Sequence, residues 1–512
     1  MDIVVDQVYD AIIVGSGPAG ASSAWPLVKN GKKILMLDVG FNSSEISSNK
    51  NINLNSSPKV RAPEFSHVFK EYKNLYNLET ENFTANGSLA IGGLSNAWST
   101  LVSSFTENEF DEFPFTREDI LNSYNNVSNR IGISGDKNGD LKEWLGQDYN
   151  LQPNLPIHSL IEKLLSKYQR KKDFIQKLNI KMGRHHQAIL SSPINNRPAF
   201  TQDSMKGYKN INGSAYNASD EIPNLQKFQN FKYLDKNFVV DLEEINNICH
   251  VKSKNLNDNK KYIFKSRLII LAAGTIGTTK LVLKLNKHFN KPIVLKNTPM
   301  YPFALFFPQE LFRRSTFKVF SYWHMSYFLS LKDLPQKYRI YGHLTPTDGI
   351  SQLELSKRIP IFSPINKWIA NFIWPKMLLG TCIFPGHFSN NEITLYENNI
   401  LKIKGNTKNN FSNYVHNTKK ILKKAFFNLG GIFITDKLLP TLGEDSHYAS
   451  TLPMRDKPSK LETDLNGTIY GYNNIHCVDG SVLSELPAKS HTFTIMANAD
   501  RISRNLVNKL NK

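Results

Sequence analysis

The sequence predicts an α/β fold, and three observations carry that reading. YDAIIVGSGPAG runs from an apolar strand, Ala11 to Val14, through a glycine turn into a helical stretch, and KKILMLDVG follows at once as a second strand. LIILAAGTIGTTKLVL, at 268–283, shows the same order of strand, glycine turn and helix. IHCVDGS, near the end, is a buried strand that meets a third glycine turn before a closing helix. Strand, tight turn and helix in succession are the parts of a β-α-β unit, in which the strands lie parallel and helices cover the sheet.

Composition is compatible with such a fold and removes several others. The chain has 512 residues, 40% hydrophobic and 21% charged, with a formal net charge of +19. At roughly 150 residues per domain this predicts two or three domains, and the apolar content excludes disordered and collagen-like chains. The three cysteines, Cys249, Cys382 and Cys477, are far apart, so neither a disulfide framework nor a thiolate metal site is expected. Met1 to Asp10 carries three acidic residues and no basic one, unlike a secretory leader, whose start is basic. The expected location is cytoplasmic.

In the first unit Gly15, Gly17 and Gly20 stand in the pattern G-x-G-x-x-G, and Asp38 follows 18 residues after Gly20 at the end of the second strand. Such glycines let the backbone turn tightly and approach a pyrophosphate, which then meets the positive end of the helix dipole. Asp38 would accept hydrogen bonds from a ribose diol. With flanking strands and the acid at this distance, the pattern predicts a bound dinucleotide. Pro26 falls in the third turn of the helix, where the missing N–H should kink or shorten it.

Residues 41–110 are rich in Asn and Ser and end in GSLAIGGLSNAWST. Gly87, Gly92, Gly93 and Ser95 fit two readings equally, a plain loop or a backbone touching a flat ligand. Thr116 and Asp119 then resemble a capping box, and Ile120, Tyr124, Val127 and Ile131 make one apolar helix face. Residues 159–178 predict a second amphipathic helix with Ile161, Leu164, Leu165, Tyr168, Ile175 and Leu178 inward. Lys167 to Arg184 contains seven basic residues and one Asp, which reads as a solvated face or a binding patch. The stretch FVVDLEEINNICHVKSKNLNDNKKYIFKSRLIIL gives strands around a polar turn, the last of them Leu268 to Leu271, while 291–440 resists assignment. The closing helix carries Ile495, Ala499, Ile502 and Leu506 on one face.

Four segments, taken together and in order, resemble the glucose-methanol-choline family of flavin oxidoreductases. They are GSGPAG with LDVG, GGLSNAWS at 92–99, LIILAAGTIGTTKLVL at 268–283 and VDGSVLSELPAKSHTFTIMANADR at 478–501. The resemblance implies FAD, held by a discontinuous Rossmann-like domain of residues 1–150, 225–290 and 440–512. An α+β substrate-binding domain, 151–224 with 291–439, would be interleaved with it. It further implies that Gly15, Ser16, Gly17, Pro18, Ala19 and Gly20 face the pyrophosphate and that Asp38 meets the adenosine ribose. Gly92, Gly93, Ser95 and Asn96 would line the flavin and its phosphates, Ala273 and Gly274 the adenosine half, and Asp479, Gly480 and Thr492 the remainder of the cofactor. Asp38 departs from the usual Glu of the family. GGLSNAWS looks most like bacterial members associated with polysaccharide synthesis. Those members often carry a Cys-rich stretch before a GSAYNAS-like segment, and DSMKGYKNINGSAYNAS has no cysteine.

Oxidising an alcohol by hydride transfer to flavin N5 requires the hydroxyl proton to leave, so a base near neutrality is needed. Histidine suits that task. Two histidines fall in the segments that the resemblance brings to the flavin, His447 in GEDSHYASTLPM and His491 in KSHTFTIM. Thr451 and Met454 after His447 echo the family's G-T-x-x-M pattern. For the second group, ungapped counting back from Arg501 falls on Ser490, and His491 is the next residue, so either one fills the role. His185, His186 and His476 are expected to be structural or on the surface.

The resemblance of GGLSNAWS to the polysaccharide-associated members implies that the small-molecule alcohol is a sugar or polyol, attached to a nucleotide or lipid carrier. A non-sugar alcohol, or a carrier protein on the same fold without chemistry, are the alternatives. Nucleic acid has only charge in its favour. Ile361 to Gly380, with Trp368, Phe372, Trp374, Met377 and Leu378, reads as a buried domain wall or as a peripheral contact with the inner face of the membrane, since Pro364, Lys367, Pro375 and Lys376 prevent a span.

Overall fold

A computed structural model describes residues 2–45, 65–146, 148–201, 205–206, 209–210, 212–311, 325–347, 373–435 and 442–511. The protein is of mixed α/β class, and its first sheet collects strands from both ends of the chain. Ile3–Val14 lies between Lys261–Leu271 and Ile34–Leu37, parallel to both, with Val14 opposite Leu271 and Leu37. Phe231–Leu234 extends the sheet beyond Ile34–Leu37, and Ile475–Cys477 pairs in parallel with Ile269–Leu271. The first half of Lys261–Leu271 instead pairs antiparallel with Ile248–Asn255, and that strand with Asn237–Ile245.

Ala11 to Val14, Ile34 to Leu37 and Leu268 to Leu271 are all buried, which is why they read as unbroken apolar runs without alternation: a parallel strand is covered on both faces. Helix Pro18–Lys29 packs on the closing helix Thr492–Leu510, which also packs on Glu118–Ile131. The last begins as its sequence suggests, with both the amide and the hydroxyl of Thr116 donating to Asp119. Helix Pro18–Lys29 departs from expectation by running through Pro26. The proline sits in the last turn, and Asn30 Nδ2 donates to its carbonyl at 2.7 Å. The first strand also starts at Ile3, because Ile3 and Val4 find register with Tyr262 and Ile263.

The stretch that resists assignment forms a six-stranded sheet. Its order is Ile432–Thr435, Met300–Phe306, Met377–Ile383, Ile340–Pro346, Met325–Leu329 and Ile180–Gly183, with every neighbouring pair antiparallel. On one face Tyr301, Leu305, Leu344 and Leu378 share a core with helices Ser159–Arg170 and Phe411–Asn428. The expected helix over 159–178 is divided there, since a second helix, Lys172–Lys177, begins after Lys171. A third sheet joins Tyr448–Ala449 to Ile293–Asn297, Asn391–Leu395, Leu401–Lys404 and Leu78–Glu81.

Among the described residues no helix is long and apolar enough to cross a membrane. Of the segment 361–380, residues 361–372 lie outside the described residues. Met377 and Leu378 belong to a central strand and are buried.

Candidate active site

The parallel strands end together, so the turns that follow Val14, Leu37, Leu271 and Cys477 meet at one edge of the sheet. Gly15 N–H donates to the Leu37 carbonyl at 2.8 Å, Ala272 N–H to Val14 and Val478 N–H to Leu271. In open α/β sheets this carboxyl edge is where ligands bind. A cavity of about 470 Å³ lies there, and one of its sides is made of these turns.

Gly15 has φ +101°, and a Cβ on it would sit 2.5 Å from the Ala272 carbonyl oxygen, so the first turn admits no other residue without strain. Gly20, inside the helix, packs so closely on the Gly15 carbonyl that a side chain there has no room. Gly17 caps the helix and faces Gly93: a Cβ on Gly93, itself at φ +59°, would lie 3.3 Å from the Gly17 Cα. Two bare backbones thus pack directly on each other in the cavity wall. Ser95 keeps the second backbone in place, its hydroxyl donating to the Gly92 carbonyl at 2.6 Å and accepting from Ala218 N–H at 3.0 Å. Asn217 Nδ2 donates to Asn96 Oδ1 at 2.8 Å. GGLSNAWS and GSAYNAS, more than a hundred residues apart, therefore form one unit.

Ser16 donates to the Asp38 carboxylate and accepts from Gly92 N–H, and Tyr233 donates to the same carboxylate at 3.3 Å. Burial pushes the Asp38 carboxyl up to about 6. Asp479 accepts from Thr278 at 2.5 Å and from Ser481 N–H at 3.0 Å. It ties the last glycine turn to helix Gly274–Leu285, and burial raises its carboxyl too.

At the other side of the cavity the two expected histidines come together. The rings of His447 and His491 lie 4.7 Å apart and nearly perpendicular, at 85°. His447 owes its place to the strand Tyr448–Ala449, which pairs with Lys296 and Asn297 and brings Thr298 beneath the ring. Thr298 Oγ1 lies 3.0 Å from His447 Nδ1, and Thr298 donates both its hydroxyl and its amide to Asp445, at 2.8 and 2.9 Å. Because the one hydroxyl proton points at Asp445, the oxygen accepts from His447, which puts the imidazole proton on Nδ1 and leaves Nε2 as a bare acceptor. His447 is partly exposed and lines the cavity, and desolvation holds it down to about 4. His491 is pushed well below its ordinary value by burial and by His447, and among the described residues its Nδ1 has no hydrogen-bond partner.

Of the expected residues, Gly15, Ser16, Gly17, Pro18, Ala19, Asp38, Gly93, Ser95, Ala273, Gly274, His447, Asp479, Gly480, Ser490, His491 and Thr492 all line the cavity. Gly20, Gly92 and Asn96 stand behind it and shape its wall. Ser490 presents its backbone to Ser103, which donates to its carbonyl at 3.4 Å. His185, His186 and His476 are buried; His186 Nδ1 lies 2.7 Å from the Tyr149 hydroxyl.

Sequence reasoning missed three groups. His343 and Thr381 face the cavity from paired positions of the six-stranded sheet. The Asp445 and Thr298 relay joins residues 147 apart. Lys489, next to Ser490, is buried against Glu109 at 2.7 Å, and its ammonium lies 4.3 Å from the Trp144 ring centre. Only Asp445, two residues from His447, carried a local signal.

The fold and the site together define an α/β protein whose backbone-lined cavity ends in a pair of neutral imidazoles. No protein-family model and no curated protein matches the chain.

Proposed function

We propose that the protein is an FAD-dependent oxidoreductase of the glucose-methanol-choline type that oxidises a CH–OH group. The observation that carries this reading is the perpendicular pair of His447 and His491 at the end of a glycine-lined cavity. The backbones of Gly17 and Gly93, packed against each other without side chains, leave bare peptide groups facing the cavity, and this supports a dinucleotide lying along them. Gly15 to Ala19 would hold the pyrophosphate, Asp38 the ribose diol, and Gly93, Ser95 and Thr492 the flavin half. The parallel sheet and its glycine turns would then be the interleaved Rossmann-like domain, and the six-stranded sheet the substrate domain.

FAD, when bound, supplies the acceptor for the hydride. The chain's own part is proton transfer and orientation. His447 Nε2 takes the hydroxyl proton, with Asp445 and Thr298 keeping the other nitrogen protonated throughout. His491, neutral and facing the same space, orients the oxygen as it loses that proton. Among the described residues no Lys or Arg lines the cavity, and the sheet side is apolar apart from His343, Thr345 and Thr381. The end of the substrate that enters is accordingly uncharged, a hydroxyl-bearing group of a sugar, polyol or other alcohol, and any phosphate it carries stays outside.

The test is direct. The purified protein is expected to be yellow, and anaerobic addition of a panel of free sugars, sugar conjugates and simple alcohols to bleach its flavin band with at least one of them. His447→Ala should slow that bleaching by about a hundredfold or more. Protein that takes up no flavin, or a variant as fast as the parent, refutes the reading.

A further inference from the structure

The +19 charge is not met in the cavity, which no Lys or Arg among the described residues lines. Helix Phe411–Asn428 contains Lys419, Lys420, Lys423 and Lys424 and no acidic residue. Thr418, Leu422, Ala425 and Phe426 are its buried side. The spacing of three and four residues therefore turns Lys420, Lys423, Lys424 and Phe427 to the opposite side, where all four are exposed. Phe427 is 71% exposed, and Ile432, at the start of the edge strand that follows, is 45% exposed.

The basic stretch that begins at Lys167 lies against this helix. Lys171 Nζ donates to the Asn428 carbonyl at 2.7 Å, and Lys424 Nζ lies 5.8 Å from the ring centre of Phe174, itself 37% exposed. Arg170, Lys171 and Lys177 are exposed there, against the acids Glu162 and Asp173. Two lysine clusters some 250 residues apart in the chain thus meet around protruding Phe174, Phe427 and Ile432. Apolar side chains standing out of a ring of Lys match an anionic bilayer, in which rings enter the headgroup boundary and ammonium groups meet lipid phosphates.

We propose that this face docks the protein on anionic membrane surfaces. The two helices lie across the six-stranded sheet from the cavity, so docking leaves the candidate active site outside the interface. The proposal does not depend on the flavin reading.

Co-sedimentation of the full-length protein with vesicles of phosphatidylcholine alone, or mixed with phosphatidylglycerol, tests it. Binding is expected only to the mixed vesicles and should fade as salt is raised. The triple variant Lys420→Ser, Lys423→Ser, Lys424→Ser should weaken it on the order of a hundredfold at low salt, and Phe427→Ser by roughly fivefold. These positions are exposed, and a thermal melt like that of the parent checks that the fold is kept. Failure to bind the mixed vesicles, or parent-like binding by the triple variant, overturns the proposal. So does tighter binding to duplex DNA that Phe427→Ser leaves unchanged, which would mark a polyanion site instead.

Discussion

Asp445 sets the protonation pattern of His447, and this gives the site a pH dependence whose sign can be worked out. Its carboxyl is raised to about 6 by burial, so it is a carboxylate above that pH and accepts the Thr298 hydroxyl proton. Below it, the protonated carboxyl no longer needs that proton, Thr298 can donate to His447 Nδ1, and Nε2 ceases to be the bare acceptor. Flavin reduction should therefore fall as pH drops through about 6, although His447 itself, held near 4, stays neutral. Asp445→Asn should lower the rate and remove that limb from the pH profile. A limb near 4 in both proteins would assign the titration to His447 and discard the relay. Thr298→Val, which leaves Asp445 intact but breaks the link, should lower kcat by about ten- to a hundredfold with little change in KM.

At the scale of elements, the same turns that were easiest to read are the least replaceable. Gly15→Ala meets both a left-handed φ of +101° and the Ala272 carbonyl, so it should cost more than about 1 kcal/mol and abolish flavin retention; a variant that purifies yellow with the parent's melting point would contradict this. The loop before helix Thr492–Leu510 is fastened differently, through the buried Lys489 and Glu109 pair. Removing one partner strands the other charge, so Lys489→Met should destabilise by about 3–5 kcal/mol, while Lys489→Met with Glu109→Met should recover most of it. Urea unfolding midpoints measure both. A double variant no more stable than the single would show that Lys489 acts through its contacts with Trp144 and Ser104 instead.

For the whole molecule, legibility in the sequence followed the locality of the forces. Gly15 and Asp38 could be found because strand, glycine turn and acid follow one another within a single unit of the chain, whereas the role of Gly274 was expected only through resemblance. The six-stranded sheet could not be found, because Ile340 to Pro346 is buried at every position and shows no alternation to betray a strand, which hid His343 with it. The meeting of His447 with His491 was expected only through resemblance; its physical cause is the long-range pairing of Asn297 with Tyr448. The same non-local pairing makes a prediction about cooperativity. Strand Ile475–Cys477 and helix Thr492–Leu510 complete the edge of a sheet begun at Ile3 and cover its core, so no segment up to residue 440 contains a finished cavity. A fragment ending there would expose Ile269, Ile270 and Leu271, which are fully buried in the intact chain. It should lack a cooperative melt and show no thermal shift with FAD. The intact protein should gain about 2.7 kcal/mol at FAD concentrations a hundred times its Kd. A fragment that melts sharply and shifts with FAD would show that the first sheet closes without its last strand, and would break the link between interleaving and cofactor binding.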